Sequence, residues 1–297
     1  MYITIHLARI LHRLPAGYCI NKSNTDVLVI GTLKFDIRIK KMSFGLYVSA
    51  EGAHAQNYRL ETIANNIANV DTPGFKRELA IQQARFTKDI ELGLDEPHSG
   101  TMNDLSGGVL TIGTLTDFKQ GKSIASGNKE DMEIVGEGFF LVQQMQTGEY
   151  FLTRSGQFDM LDDGRLVTYS GPTEFAVCDD TMTPITINPS EDWSIQDGNA
   201  AIMQNGEATR VGIVIPNDYQ KMVKQGQNMF KSEAGFTPKE DTNRLIKSGH
   251  YEGSAVDPAA EMVELIATSR VIETNVKMMQ HQDEMSQSLI AQVLRVS

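Results

Sequence analysis

The chain has 297 residues, of which 40% are hydrophobic and 22% charged, enough to build one large domain or two ordinary ones. Residues 1–41 carry seven Lys or Arg against two acidic residues, whereas residues 42–297 carry 20 against 36. So acidic a body excludes binding to nucleic acid or to anionic membrane surfaces, because phosphate contacts need clustered Lys and Arg. The two cysteines, Cys19 and Cys178, cannot build a disulfide framework.

Residues 1–41 form a basic leader that shares neither the charge balance nor the apolar periodicity of the rest. Charged side chains such as Arg9 and Arg13 interrupt its opening apolar run, which excludes a cleaved Sec signal. No stretch of the chain reaches the roughly 18 apolar residues that span a bilayer. We predict that the leader is disordered or arises from an upstream start codon, with Met42 as the sensible start. A functional targeting leader is the alternative.

The first helix is predicted from about Ser43 to Val70, and the turn at Thr72-Pro73-Gly74 ends it. Its stripe residues alternate at spacings of four and three, which places them on one face. They are Leu46, Ala50, Ala53, Asn57, Leu60, Ala64 and Ile67. The small alanines favour close packing of another helix, and a buried Asn57 would select a matching partner. An ordinary amphipathic helix that packs on its own domain is the alternative.

The long middle of the chain is predicted to be β-rich. Residues 77–127 are expected to be a loop-rich connector, and residues 128–250 a domain in which short apolar segments alternate with turn signals. Thr147-Gly148 and Asp162-Asp163-Gly164 mark two tight hairpins. The predicted strands are Phe139–Gln144, Tyr150–Arg154, Gln157–Met160, Arg165–Tyr169, Glu174–Cys178, Ile185–Ile187, Trp193–Ile195, Ala201–Met203 and Thr209–Ile215. This arrangement indicates an antiparallel sandwich or barrel-like unit.

A second long helix is predicted within residues 251–297, with Asp257 as its N-cap and Pro258 in its first turn. Roughly 40 residues of helix would be about 60 Å long, so its apolar face must meet another chain or the first helix. That face carries Met262, Leu265, Ile272, Val276, Met279, Ile290 and Val293. The predicted fold is therefore mixed α and β, with long N- and C-terminal helices that form a coiled-coil domain around a β-rich antiparallel middle domain.

No catalytic, cofactor-binding or metal-binding site is predicted, and the chain is not expected to be an enzyme. The acidic run Asp159–Gly164 fits a hairpin turn, since an EF-hand calcium loop would need other residue types at Leu161 and Ser170. The segment Gly136-Glu137-Gly138 lacks the last glycine of a dinucleotide loop and precedes a strand. The six histidines are scattered without ligand spacing.

Three parts of the chain resemble the signatures of a known family. Leu60–Arg77 contains the run A-N-N-I-A-N followed by T-P-G-F-K. Ile134–Phe140 and Thr153–Phe158 are similar to middle-domain hairpins, and Tyr251–Asp257 precedes a similar helix start. Together they resemble the flagellar rod and hook protein family over nearly the whole chain after residue 42. The usual Ser-Asn-Val before the last helix is changed at Ala255, which is a local substitution.

The resemblance implies a structural subunit of the bacterial flagellar basal-body rod, in the periplasm. It implies export by the flagellar type III apparatus without a cleaved signal, and end helices that are largely unstructured in the free subunit. It further implies polymerisation into a helical tube that transmits torque to the hook. The implied partners are further copies of the chain, other rod and hook proteins and the export machinery, with no nucleic acid, cofactor or membrane insertion.

The modest middle domain resembles rod proteins more than the larger hook protein. Between rod proteins, a proximal-rod type is favoured over a distal-rod type. A self-assembling coiled-coil scaffold or adhesin outside flagella is the alternative. The predicted assembly interface consists of the two helix stripes together with motif residues at the end of the first helix. These motif residues are Asn65, Asn66, Asn69, Gly74 and Phe75.

Overall fold

The structure is a computed structural model that describes residues 28–30, 33–35, 44–100, 107–198, 200–226, 228–239 and 244–296. The chain divides into two compact units. The larger unit is Ala50–Val276, and the smaller unit is Met1–Ser49 together with Lys277–Ser297. The boundary between the units therefore falls inside both terminal helices.

Three α-helices lie in the described residues: α1 (Phe44–Ala68), the single turn α2 (Lys88–Glu91) and α3 (Pro258–Val296). The two long helices predicted from the sequence are thus confirmed, within about two residues at each end of α1. The predicted cap of α3 is also confirmed, because Asp257 Oδ1 accepts a hydrogen bond from the backbone N–H of Ala259 at 3.1 Å. Over its 39 residues α3 is about 58 Å long.

In the smaller unit, the strand β1 (Leu28–Ile30) pairs antiparallel with β2 (Leu33–Phe35). Both strands lie in the predicted leader, and the rest of residues 1–41 lies outside the described residues. Gln282 packs against Gly45, where an added Cβ would stand 2.5 Å from Gln282 Nε2. Between residues 277 and 295 no described side chain is buried.

The segment predicted as a loop-rich connector contains a long hairpin instead. In it, β3 (Glu78–Ala84) pairs with β4 (Val109–Thr116), with a bulge between Ile81 and Gln82. The hairpin packs on α1, because Gln82 Nε2 donates to the backbone carbonyl of Ala55 at 2.9 Å. Threonine and aliphatic residues alternate along β4, which is typical of a strand, and the neighbouring glycines obscured that pattern in the sequence.

Sixteen further strands lie in the described part of the larger unit. They are β5 (Ser123–Ala125), β6 (Met132–Val135), β7 (Phe139–Gln144), β8 (Tyr150–Thr153), β9 (Asp159–Met160), β10 (Leu166–Ser170), β11 (Thr173–Val177), β12 (Trp193–Gln196), β13 (Ala201–Gln204), β14 (Glu207–Arg210), β15 (Ile213–Pro216), β16 (Met222–Gln225), β17 (Met229–Ser232), β18 (Phe236–Pro238), β19 (Leu245–Ser248) and β20 (His250–Glu252).

Nine of these strands form one antiparallel sheet. Its main path is β16-β17-β8-β7-β11-β10-β9, and β15 joins it by pairing with both β7 and β18. Smaller sheets are β12-β13-β14, β5-β20 and β6-β19. The antiparallel β-rich middle predicted from the sequence is therefore confirmed. The sheets β5-β20 and β6-β19 join strands that come from opposite ends of it.

The core lies on both faces of β7. Phe140 and Val142 point into the larger apolar cluster, whereas Phe139 and Leu141 point into a second cluster with Phe230. These four side chains are at most 2% exposed. Burial on both faces explains why this strand is a continuous apolar run without the alternation of a half-exposed strand.

The local turn signals of the sequence are confirmed. The strands β7 and β8 pair across the turn at Thr147-Gly148, and β9 and β10 pair across Asp162-Asp163-Gly164. Gly164 has φ +82°, and an added Cβ would lie 1.9 Å from the backbone carbonyl oxygen of Ile187. Glycine is therefore required there both by the turn and by the close approach of another segment.

Two predicted strands are wrong in detail. The strand predicted over Thr209–Ile215 is divided into β14 and β15, because Gly212 turns aside to pair with Cys178. The Gly212 N–H donates to the Cys178 carbonyl oxygen at 2.8 Å. The segment predicted as a strand at Ile185–Ile187 forms one isolated bridge, between Thr186 and Arg165.

The thiol of Cys178 should be unreactive in the folded protein. It is fully buried in the cluster around Phe139, and burial raises its pKa to about 12. In a Cys19→Ser variant, a thiol reagent such as Ellman's reagent at pH 8 should react with no thiol. After unfolding in guanidinium chloride it should react with one thiol per chain. Rapid reaction of the folded variant would show that this core opens readily.

Candidate assembly site

The end of α1 is fastened by the buried side chain of Asn66. Its Oδ1 accepts from the backbone N–H of Glu78 at 2.9 Å, and its Nδ2 donates to the Glu78 carbonyl oxygen at 2.8 Å. This pair of bonds imitates the exchange between two strand residues, since a side-chain amide carries both donor and acceptor. Asn66 Nδ2 also donates to Glu261 Oε2 of α3 at 3.4 Å. One side chain therefore joins α1, β3 and α3.

The turn after α1 brings the chain against the β-strands. Asn69 Nδ2 donates to the Asn65 carbonyl oxygen at 2.8 Å, and Thr72 Oγ1 donates to Asn69 Oδ1 at 3.2 Å. Gly74 follows with φ +68°, and an added Cβ would lie 2.3 Å from the backbone nitrogen of Ser155. Only glycine fits this position, because any side chain would meet backbone atoms that cannot move aside.

The chain segments that enter and leave the middle domain are bonded to each other. The Gly74 N–H donates to the Glu252 carbonyl oxygen at 2.8 Å, and the Ala255 N–H donates to the Phe75 carbonyl oxygen at 3.0 Å. The segment that follows α1 and the segment that precedes α3 therefore lie side by side.

Phe75 is buried beneath a lysine from a distant strand. Lys224 of β16 places its Nζ 3.9 Å from the centroid of the Phe75 ring. The same Nζ lies 2.7 Å from Glu78 Oε1, so the lysine contacts the aromatic ring and a carboxylate together. Both charged side chains of this pair are less than 20% exposed. The edge strand of the main sheet thus covers the turn that follows α1.

We call the region where the segments that follow α1 and precede α3 meet the middle domain the junction. A buried triad of Lys76, Arg154 and Glu252 lies at its centre. Lys76 Nζ is 2.6 Å from Glu252 Oε1, and Arg154 Nη1 is 3.2 Å from Glu252 Oε2. The Gly121 N–H donates to the same carboxylate at 2.7 Å, and Lys76 Nζ also donates to the Lys119 carbonyl oxygen at 2.6 Å. The three charged side chains are at most 5% exposed. They link the end of the α1 turn, strand β20 and the loop after β8.

Burial dominates the electrostatics of the triad. It lowers the pKa of Lys76 below the usual 10.5, against the opposing effect of the Glu252 carboxylate. Burial also lowers the pKa of Arg154, and Glu252 again opposes the shift. Arg154 is further held by hydrogen bonds to the carbonyl oxygens of Ile134 and Gly136. Because two cations share one carboxylate, loss of Glu252 leaves the most uncompensated charge.

An outer layer of ion pairs joins the two long helices within the larger unit. Glu264 of α3 accepts from Arg59 Nη2 of α1 at 2.6 Å through Oε1, and from Arg77 Nη2 at 3.0 Å through Oε2. Arg77 Nε also donates to Glu261 Oε1, whose side chain is 1% exposed. The α1 helix, the segment before β3 and the start of α3 are therefore held in one orientation.

Within one chain, the predicted stripe of α1 is only partly covered. The buried or half-buried members are Leu46, Ala53, Leu60 and Ile67. The exposed members are Ala50, Asn57 and Ala64, so the expected burial of Asn57 does not occur within one chain. The best-buried face of α1 is instead shifted toward Ala55 and Ile63, because the helix packs against the β3–β4 hairpin and α3 together.

The predicted stripe of α3 is divided in the same way. Its half-buried members are Leu265, Ile272 and Met279. Its exposed members are Met262, Val276, Ile290 and Val293, with 38% to 71% of each side chain accessible. In the larger unit the covered face continues through Thr268 and Asn275, and Asn275 packs close to Gly52 of α1. Membership of the exposed residues in an interface between copies stays a prediction.

The predicted motif residues have a different position from the stripes. Asn66, Asn69, Gly74 and Phe75 are buried inside the chain, and Asn65 is exposed. The four buried residues hold α1 onto the middle domain through the contacts described above. Arg59, Lys224 and Glu264 also belong to the junction, although they were not predicted from the sequence. Lys224 binds Glu78 across 146 positions, so no local sequence pattern predicts that contact.

The described residues contain no group of three or more His, Cys, Asp or Glu side chains that could hold a metal ion. None of the described helices is both long and apolar enough to cross a membrane. A cavity of about 260 Å³ beside the triad offers aromatic rings, one arginine and one glutamate, without a serine, cysteine or histidine. Its lining residues are Phe118, Glu137, Phe139, Arg154 and Tyr219.

Comparison with known proteins identifies the family. A family model described as "Flagella basal body rod protein" matches residues 46–76. The "Flagellar hook protein FlgE/F/G D1 domain" matches residues 133–226, and "Flagellar basal body rod FlgEFG protein C-terminal" matches residues 247–292. The flagellar basal-body rod protein FlgF of Caulobacter vibrioides is 31% identical over 261 residues, which are 86% of this chain and 100% of that protein. The chain belongs to the flagellar basal-body rod protein family.

This rod protein is also similar to FlgG proteins. The flagellar basal-body rod protein FlgG of Agrobacterium fabrum is 29% identical over 267 residues, covering 84% of this chain and 99% of the relative. FlgG of Caulobacter vibrioides is 28% identical over 257 residues, covering 82% and 97%. The resemblance found in the sequence is therefore confirmed. The chain is a structural protein of the flagellar basal-body rod and is not an enzyme.

Each matched segment of the rod protein supplies one member of the buried triad. Lys76 ends the first matched segment, Arg154 lies in the second and Glu252 lies in the third. Segments that are far apart in sequence thus meet at a single carboxylate. The three matched segments of this chain therefore meet at the triad.

The geometry of the triad predicts that substitution of Glu252 lowers the free energy of unfolding more than substitution of Lys76. Replacing Glu252 with Gln should lower the free energy of unfolding by about 3–5 kcal/mol, because two buried cations lose their shared carboxylate. Replacing Lys76 with Met should lower it less, because Glu252 keeps Arg154 and the Gly121 N–H. Urea unfolding followed by Trp193 fluorescence measures both losses. An equal or reversed order would show that Glu252 is not the centre of the junction.

At Gly74 we expect a single added methyl group to cause a large loss in the free energy of unfolding. A matched control is Gly171, which also has a left-handed φ but would place a Cβ in open space. Gly171→Ala should lower the free energy of unfolding by about 1–2 kcal/mol through the backbone alone. Gly74→Ala should cost clearly more, because its methyl group would overlap the backbone of Ser155. Equal losses in the same urea experiment would contradict the close approach.

Proposed function

We propose that this rod protein polymerises with further copies of itself and with other rod and hook proteins, through the exposed stripes of α1 and α3. The polymer is a helical tube that transmits torque to the hook. The terminal helices pair as coiled coils in the tube, and the middle domain packs on neighbouring subunits. The chain reaches its site through the flagellar type III export apparatus.

The observation that carries this proposal is the uncovered apolar surface of α3. Its last two turns expose Leu289, Ile290, Val293 and Leu294, each by more than half of its side chain. Such a contiguous apolar surface is stable in water only when another surface covers it. On α1 the exposed members of the stripe are small, which favours close approach of a second helix. These two features support helix pairing between subunits.

The junction gives the proposed tube its stiffness. Torque carried by the helices must pass into the middle domain through the residues that join them. The buried triad, Asn66 and the Arg59–Glu264 pair hold that joint with hydrogen bonds that resist rotation of either helix. Contacts between copies are heterologous, and heterologous contacts that do not close generate a helical filament.

We propose a proximal-rod type of protein over a distal-rod type. Within one organism, Caulobacter vibrioides, the chain is 31% identical to the whole of FlgF and 28% identical to 97% of FlgG. The modest size of the middle domain supports a rod protein over the larger hook protein. The basal body of a strain that lacks this protein should therefore end before the proximal rod is complete.

A gene deletion complemented in two ways tests the proposal. Cells without the gene should be non-motile and should carry truncated rods by electron microscopy of basal bodies. Residues 42–297 should restore motility, as should a full-length variant His54→Glu, whose substitution lies on the exposed face of α1 outside the stripe. The variant Asn57→Glu should not restore it, because it places a charge in the helix interface.

The two substitutions are matched, since both introduce the same acid three positions apart on exposed turns of one helix. Both variants should fold and be exported, which immunoblotting of the periplasmic fraction verifies. Full motility with Asn57→Glu would show that the stripe of α1 is not part of the interface. Intact rods in the deletion strain would contradict the proposed rod function.

A further inference from the structure

The cavity beside the triad has a buried base and an open side. Its volume is about 260 Å³. The buried lining residues Phe139 and Arg154 form the base, and the exposed residues Glu137 and Tyr219 form the open side. The fifth lining residue, Phe118, is half-buried. A cavity of this size is smaller than a drug-sized site and fits one side chain or one small organic molecule.

Three aromatic rings form the walls of the cavity. The centroid of the Phe118 ring lies 5.8 Å from that of Phe139 and 5.3 Å from that of Tyr219. The corresponding interplanar angles are 85° and 56°. Rings inclined in this way hold one another in place and offer a further apolar group both edges and faces. The walls therefore favour an apolar group, above all an aromatic one.

At the base, the guanidinium of Arg154 lacks one acceptor. The side chain is 5% exposed, and its Cζ lies 5.4 Å from the centroid of the Phe139 ring. Its Nη1 donates to the Ile134 carbonyl oxygen and to Glu252, and its Nη2 donates to the Gly136 carbonyl oxygen. The buried Nε finds no acceptor among the described residues. Because a buried N–H without an acceptor is costly, this atom points to an acceptor that comes from outside these residues.

The open side of the cavity offers acceptors. Among the described residues, no donor is bound to the exposed carboxylate of Glu137. Burial raises the pKa of Tyr219, and the nearby Glu137 carboxylate acts in the same direction. The hydroxyl of Tyr219 therefore stays protonated at neutral pH, so it both donates and accepts. The cavity thus combines a donor at its base, acceptors at its open side and aromatic rings between them.

This arrangement favours an uncharged amide over a charged group. A carboxylate that approached Arg154 would also face the carboxylate of Glu137, and an ammonium that approached Glu137 would also face the guanidinium of Arg154. An amide carries a carbonyl acceptor and an N–H donor in one group. It also costs less to remove from water than an ion does.

We propose that this cavity binds an amide attached to an apolar body, supplied by a peptide segment of a neighbouring subunit in the rod. The amide N–H donates to Glu137, and the apolar side chain lies against the rings of Phe118 and Tyr219. The carbonyl oxygen reaches the buried Nε of Arg154 through a small outward movement of the exposed Tyr219 side chain. A polypeptide presents these groups together wherever a backbone amide adjoins an apolar side chain.

The subunit as the source of this amide rests on the proposed polymerisation. Buried pockets that receive one anchoring side chain are usual at the centre of interfaces between proteins, which supports a polypeptide as the ligand. The chemistry of the cavity is a property of the single chain. The two parts of the proposal can therefore be tested separately.

Three small probes test the chemistry on the purified full-length chain. Benzamide carries an amide, benzoate an anion and benzylammonium a cation on the same apolar ring. In ¹⁵N spectra of the arginine side chains, benzamide should shift one Nε–Hε resonance saturably. Contact with protons of the Phe139 ring, over which the guanidinium lies, assigns this resonance to Arg154. Benzamide should bind more tightly than either charged probe.

Two results of the titrations would overturn the proposal. Equal or tighter binding of benzoate or benzylammonium would show that the site selects an ion. The absence of any saturable shift at Arg154 would show that the cavity holds water only.

A matched pair of tyrosine variants locates the binding. Tyr219→Ala removes one wall of the cavity and should weaken the binding of benzamide by about tenfold or more. Tyr169→Ala removes another exposed tyrosine, which lies on β10 and does not line the cavity, and should leave the affinity unchanged. An unchanged affinity in Tyr219→Ala, or equal losses in both variants, would place the binding elsewhere and contradict the proposal.

Photocrosslinking in assembled basal bodies tests the source of the amide. The photoreactive residue p-benzoylphenylalanine in place of Tyr219 should form a product with a peptide of a neighbouring rod subunit, identified by mass spectrometry. The same residue in place of Tyr169 should not form that product. Benzamide binding together with intact rods that lack the product would assign the cavity to a free small amide and overturn the subunit as its source. Failure of the chain to enter basal bodies would instead contradict the rod function, and the probe titrations would still decide the chemistry of the cavity.

Discussion

The sharing of one buried carboxylate by two cations is the interaction on which the architecture depends. Glu252 is the acceptor for Lys76, Arg154 and the Gly121 N–H, and each of these comes from a different part of the chain. Taking such charges out of water is costly, and a buried network of this kind rarely adds much net stability. Its value is geometric, because Lys76, Arg154 and the Gly121 N–H all bind the same carboxylate. The three parts of the molecule therefore meet in one arrangement.

Further polar contacts orient the two long helices. The buried Asn66 amide binds the backbone of Glu78, and the more exposed Arg59–Glu264 pair joins α1 to α3. Polar contacts fix direction near the middle domain, and apolar side chains dominate the far end of α3. Within the described residues, polar contacts therefore hold the start of α3, whereas its last turns expose apolar side chains. An exposed apolar surface of this kind is typical of a site for interaction with another protein.

The sequence predicted those features whose causes are local. Helix periodicity, the Asp257 cap and the turn at Gly164 each depend on residues within a few positions, and each was confirmed. The β3–β4 hairpin was missed because glycines interrupt an otherwise clear strand pattern. The triad could not be derived from spacing, since Lys76 and Glu252 are 176 positions apart. The role of Lys224 could not be predicted either, because its contact with the distant Phe75 exists only after the main sheet has formed.

The bonds between Gly74 and Glu252 and between Ala255 and Phe75 have a consequence for modularity. The polypeptide leaves the helical part and returns to it at the same place, where these two bonds join the outgoing and the returning segment. Insertions or deletions in loops of the middle domain that lie away from these bonds would therefore leave the joined segments and the Glu252 carboxylate in place.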